Sequence, residues 1–181
     1  MPKILESMRE ELLKTARKQI ESRGYARTTI RSVAAECGIA VGTVYNYFPS
    51  KDMLIATFVS EDWRACIAPI AEMTEDDAET RLKRICDAIH TFAESYRALF
   101  SDSDAKNAYY AAFSERHRQL RAQLADLILP VCGHDADRAF LSEFIAESLL
   151  IWTTEGKPFE DMYHIIEKLI KEREEPEIEQ L

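Results

Sequence analysis

Residues 37–51, Cys-Gly-Ile-Ala-Val-Gly-Thr-Val-Tyr-Asn-Tyr-Phe-Pro-Ser-Lys (CGIAVGTVYNYFPSK), enclose one short helix between a glycine turn and a proline stop. Projected at about 100° per residue, Val41, Val44, Tyr45 and Phe48 fall along one arc, and Gly42, Thr43, Asn46 and Tyr47 along the other. The second arc has no aliphatic side chain to bury. It offers a hydroxyl, an amide, a phenol and a bare backbone position, all suited to polar contact or close approach. Pro49 disfavours helical backbone at Phe48, and Ser50 is a helix cap ahead of Lys51 and Asp52.

Upstream, Thr28-Thr29 offers another cap, and Ile30, Val33, Ala34 and Cys37 recur at the spacing of a two-turn amphipathic helix. Gly38 can take the positive φ that ends it, with Ile39 plugging the corner. Before that, Leu5, Met8, Leu12, Ala16 and Ile20 mark a longer helix running to about Gly24, with Arg9, Lys14, Arg17 and Lys18 between them. Two short helices across a tight turn, braced by a third, make a helix-turn-helix unit, a device that reads DNA.

Charge supports that placement. Residues 1–60 hold nine Lys/Arg against six Asp/Glu, three in excess, while the whole chain carries −9, so the remainder carries −12. A basic first third can meet phosphate while an acidic body keeps the protein soluble. With 181 residues and 46% hydrophobic content, the chain can bury a substantial core. Nowhere does it approach the roughly 18 uninterrupted apolar residues of a membrane span, so a cytoplasmic protein is expected. The four cysteines form no C-x-x-C pair and read as thiols, not disulfides.

After Lys51 the apolar stripes continue as helices: through Met53, Leu54, Phe58, Trp63 and Ile67; from about Ala78 to Phe100; from Asp104 to Leu129; from Asp135 to Glu155; and from Pro158 to about 172. The expected fold is all-α, with a helix-turn-helix domain over residues 1–50 and a helical body over 51–181. The helix expected over 135–155 is apolar on more than one side. That surplus suits a dimer surface, to which Phe140, Phe144, Leu149 and Ile151 are assigned, together with Phe159, Met162, Ile166 and Leu169 of the last helix. One reading unit touches few base pairs, so two copies on a pseudo-palindromic operator are expected.

Gly24-Tyr25, Thr28-Thr29-Ile30-Arg31, Val33-Ala34, Gly38-Ile39, Gly42-Thr43-Val44-Tyr45 and Tyr47-Phe48 with Ser50-Lys51 resemble the N-terminal domain of the TetR/AcrR family of bacterial transcriptional regulators. The resemblance implies that Thr29 and Lys51 face phosphates at helix N-termini, and that Tyr45 and Tyr47 are phosphate-contacting aromatics. It implies that Val41, Gly42, Thr43 and Asn46 face the groove and that Arg31 reaches a base edge. For Tyr45 a packing role stays open, as does plain solvation for Arg31. Ala40 departs from the family pattern, which often has Ser there, so the reading helix lacks a side-chain cap.

The resemblance further implies a homodimeric repressor, released from DNA when a small molecule enters the body and shifts the helix after Lys51. Trp63, Phe92, Tyr96 and Phe100 favour an apolar or aromatic effector, as do Tyr109, Tyr110, Phe113 and Trp152, although aromatics at helical spacing more often form a core. Two rival readings keep the same reading head: an adaptor that recruits a protein partner, and a metal-responsive repressor using Cys86/His90 and Cys132/His134. No metal or cofactor is assigned. An enzyme is not expected, since no phosphate loop, nucleophile elbow or paired-carboxylate pattern appears.

Overall fold

A computed structural model describes the backbone of residues 2–74 and 77–171, and the side chains of 6–74, 77–103, 105 and 118–171. Among the described residues there is no strand. The helices are α1 (Pro2–Arg27), α2 (Ile30–Glu36), α3 (Val41–Tyr47), α4 (Lys51–Ala71), α5 (Ala78–Ser95), α6 (Arg97–Ser101), α7 (Ser103–Ile128), α8 (Arg138–Thr154) and α9 (Phe159–Lys171), with a 3-10 turn at Leu129–Val131. The all-α expectation holds, and most boundaries fall where glycine, proline and capping residues put them.

The packing groups the chain differently from a linear division at residue 51. One compact unit comprises α1–α3, α4 up to Ala65, and Ser95–Ala111; the other comprises Cys66–Glu94 and the described chain from Ala112 to Lys171. Leu12, Ala16, Val33, Val44, Leu54 and Phe58 form much of the first core. Leu82, Ile85, Leu124, Ile145 and Leu149 dominate the second.

The helix expected to run on to Phe100 breaks at Tyr96, whose φ of −112° and ψ of 11° are not helical. Its phenol donates to Asp62 Oδ2, and its ring stacks on Phe58 with centroids 6.3 Å apart. Burial, then the bond to Asp62, pushes that phenol well above its ordinary pKa. Arg17 completes the cluster with two bonds to the same carboxylate, Nε to Oδ2 at 2.9 Å and an Nη to Oδ1 at 2.6 Å. This paired, fork-shaped geometry is the strong form of a charge-assisted hydrogen bond. It fastens α1 to α4 inside the first unit.

In the second unit, buried Arg81 donates to the carbonyls of Met73 (2.7 Å), Leu127 (3.4 Å) and Ile70 (3.5 Å). A cation against carbonyls at the ends of α4 and α7 meets groups that carry partial negative charge.

Helix α8 resolves the question of which apolar residues face inward. Leu141, Ile145 and Leu149 are buried, whereas Phe140 is 71% exposed, Phe144 50% exposed, and Ile151 is exposed as well. The three exposed residues lie within about 40° of one another on the helical projection, their centre about 120° round the helix from that of the buried line. Leu149 therefore belongs to the protomer's own core and is removed from the dimer assignment. Met162 and Ile166 of α9 are buried too and are removed for the same reason, while Phe159 and Leu169 are half-buried. Ile165, absent from the expected set, is exposed.

Candidate nucleic-acid interface

The reading head is built from three helix ends. Helix α1 is interrupted at Gly24, whose φ of 78° is open to glycine at little cost and turns the chain toward α2. Thr28 fixes the turn, its hydroxyl donating to the Gly24 carbonyl at 2.9 Å and its N–H to the Tyr25 carbonyl at 3.2 Å. Thr29 then caps α2 in a reciprocal box: its Oγ1 accepts the Ser32 N–H at 3.0 Å, and its own N–H donates to Ser32 Oγ at 2.9 Å. Thr29 and Arg31 are both exposed on this turn.

A polar network sets α2 against α1. Gln19, only 1% exposed, donates to the Ser32 carbonyl at 3.1 Å and to Glu36 at 2.7 Å, and accepts from Ser32 Oγ at 2.6 Å. Glu36 also takes Lys18 and Arg23, at 3.2 and 3.1 Å. The bonds from Gln19 and Lys18 hold its carboxyl below the usual carboxylate range. The sequence reading passed over Gln19 and Glu36. A signal existed for the first: Gln19 falls on the Leu12–Ala16 stripe, where a polar residue must find buried partners.

Helix α3 has no side-chain cap, as Ala40 dictates; its first turn closes through the Thr43 N–H to the Ala40 carbonyl at 2.9 Å. Val44 is fully buried, and Phe48, extended before Pro49, is nearly so. Tyr45, drawn on the inner arc, is 52% exposed, so the inward side of α3 is narrower than the projection implied and the packing role for Tyr45 fails. Gly42 and Asn46 are exposed, while Val41, Thr43 and Tyr47 are half-buried. A Cβ built on Gly42 would meet nothing within 4 Å. Nothing inside the chain demands glycine there, although glycine costs a helix about 1 kcal/mol relative to alanine.

Helix α4 begins under a Ser50 cap, with the Met53 N–H donating to Ser50 Oγ at 3.1 Å. Lys51 is half-buried: its Nζ lies 3.4 Å from the centroid of the Tyr25 ring and donates to the Tyr25 carbonyl at 3.1 Å. Tyr25 and Asp52, joined by a 2.6 Å bond from phenol to Oδ1, are the other residues here that the sequence reading did not assign to the site.

The residues assigned to an effector do not gather so plainly. Trp63 and Tyr96 are buried within the first unit, Phe92 is half-buried, and Phe100 and Trp152 are exposed. The side chains of Tyr109, Tyr110 and Phe113 lie outside the described residues. Among the described residues no group of three or more His, Cys, Asp or Glu is disposed to hold a metal ion. Cys86 is buried and accepts from the Thr153 hydroxyl, its thiol pushed up to about 11 by burial, whereas His90 is exposed. That environment disfavours the thiolate a metal requires. Cys132 is buried with its thiol toward the Ile128 carbonyl, and His134 is exposed.

Three short helix ends presenting hydroxyl, amide, phenol and cation, on an all-helical frame, define a helix-turn-helix protein. Comparison with known proteins makes the class specific. The sequence profile of the bacterial regulatory proteins of the tetR family matches residues 12–57. An HTH-type transcriptional regulator of Bacillus subtilis, YerO, is 40% identical over 47 residues, 26% of this chain and 16% of that protein. The HTH-type transcriptional repressor KstR2 of Mycolicibacterium smegmatis is 36% identical over 59 residues, 32% of this chain and 29% of the repressor. A TetR transcription regulator of Haloarcula marismortui shares the fold with a TM-score of 0.63 at 20% identity, covering 92% of this chain and 98% of that one. Residues 12–57 thus match a segment of the tetR-family regulatory proteins, and the chain shares the fold of a solved TetR regulator. Its sequence matches span less than a third of YerO and of the M. smegmatis KstR2.

Proposed function

We propose that this protein is a homodimeric transcriptional repressor that lays α3 of each copy in the major groove of a pseudo-palindromic operator. The carrying observation is the open outer side of α3, where Gly42, Thr43 and Asn46 stand outward while Val44 and Phe48 hold the helix from behind. A groove-reading helix needs small polar groups that approach base edges and flanking groups that take phosphate. In this reading Val41, Gly42, Thr43 and Asn46 face bases, Arg31 reaches a base edge, and Thr29, Tyr45, Tyr47 and Lys51 meet the backbone. The repressor sense comes from the likeness to KstR2.

Dimerisation is supported by the second apolar line of α8, Phe140, Phe144 and Ile151, which a lone protomer leaves in water. Release by a small apolar or aromatic effector is part of the same reading, to which Trp63, Phe92, Tyr96, Phe100, Tyr109, Tyr110, Phe113 and Trp152 are assigned. Selection of bound sequences from random duplexes tests the whole. An inverted repeat whose half-sites lie about one or two helical turns apart is the expected result. Enrichment of no sequence, from a protein shown to be dimeric, would reject operator recognition.

A further inference from the structure

We propose that Tyr25 is the positioning residue for the Lys51 phosphate contact, holding the ammonium in place before DNA arrives; this rests on the reading of Lys51 given above. Lysine at the first residue of a helix is a poor choice electrostatically, because the N-terminal end already carries partial positive charge. It is also a long, flexible stem, and a loose charge must be ordered when it binds. Tyr25 answers both problems. Its ring presents the electron-rich face to Nζ at 3.4 Å, and its carbonyl accepts from the same ammonium at 3.1 Å. An ammonium has three donors in a fan, so a carbonyl on one side is compatible with a phosphate on another.

The ring itself is not free to drift. Tyr25 is buried, its phenol donates to Asp52 Oδ1 at 2.6 Å, and its carbonyl also accepts the Thr28 N–H. One residue thus touches two successive positions of the first turn of α4 and closes the turn that leads into Thr29. Gly24 makes this possible, since its positive φ kinks α1 immediately before Tyr25.

The test is a double-mutant cycle on the full-length protein, with one fixed mixed-sequence duplex titrated at several salt concentrations. Lys51→Gln is expected to lower the salt slope by about one, the signature of a lost phosphate contact. Tyr25→Leu is expected to weaken binding roughly three- to tenfold in the natural background, the cost of ordering one long side chain, and to add no loss in the Lys51→Gln background. Tyr25→Phe, which keeps the ring but loses the phenol bond to Asp52, should lose clearly less than Tyr25→Leu. An equal loss from Tyr25→Leu in both backgrounds would overturn the pairing, as would a Phe variant as weak as the Leu variant. If Lys51→Gln leaves the salt slope unaltered, the phosphate reading of Lys51 itself fails and the proposal falls with it. Nuclear magnetic resonance of the natural protein needs no variant to fold: the Lys51 ε-protons should be shifted upfield by the ring current, with and without DNA. Ordinary ε-proton shifts in either state would also overturn the proposal.

Discussion

Helices α3 and α8 each bury one line of side chains and expose another, and the two exposed lines are chemical opposites. Outward from Val44, α3 presents Gly42, Thr43 and Asn46; outward from Ile145 and Leu149, α8 presents Phe140, Phe144 and Ile151. The buried lines are interchangeable in character, so they say little about purpose. On the proposed function the outward lines differ because the partners would differ: a hydrated polyanion rewards hydrogen bonds and close backbone approach, whereas a second protein surface rewards removal of apolar area from water.

Substitutions that exchange these characters should separate the two roles, and the largest effect is expected on α8. Replacing Phe140 and Phe144 with Glu together should weaken self-association by about 4 kcal/mol, taking roughly 2 kcal/mol per aromatic anchor. Sedimentation should then find monomer, with helical content by circular dichroism preserved because neither residue belongs to the protomer core. Unchanged association would deny α8 its assigned partner. On α3 the equivalent attack must come from the buried side: Val44→Ala should cost about 2 kcal/mol in urea unfolding, as expected for emptying a fully buried site. Thr29→Ala removes one arm of the box that caps α2 and should cost about 1 kcal/mol. Gly42→Ala sharpens the contrast most, although it is the smallest change. It should raise the unfolding free energy by about 0.5–1 kcal/mol, yet weaken operator binding in a gel-shift titration. A more stable variant with undiminished binding would mean that the open outer surface of α3 meets nothing.

Much of the frame was legible because the chain punctuates itself. Gly24, Gly38, Pro49 and Ser50 each act through their own backbone or an adjacent cap, so local rules located α2 and α3 within a residue or two and the end of α1 within three. The break at Tyr96 was not legible, since no glycine or proline marks it; a phenol reaching Asp62, 34 positions away, accompanies it. The inward direction of α8 was equally hidden. Apolar residues on two sides announce two interfaces without saying which lies inside, and Leu149 was misassigned for that reason. At the site, helical projection put Thr43 and Asn46 on the outer arc, where Asn46 is exposed and Thr43 half-buried, but it misjudged Tyr45, which is 52% exposed. The pairing of Lys51 with Tyr25 joins positions 26 apart and leaves no periodic trace.

The missing cap at Ala40 has a consequence for how recognition can change over generations. A helix whose order is lent by Val44, Phe48 and the turn before it carries little of its own stability in the outward positions. On the proposed function those positions can be exchanged without unfolding the frame, so single changes at Val41, Gly42, Thr43 or Asn46 would alter the operator that is read. The uncapped segment behaves as an interchangeable type slug in a fixed printing block.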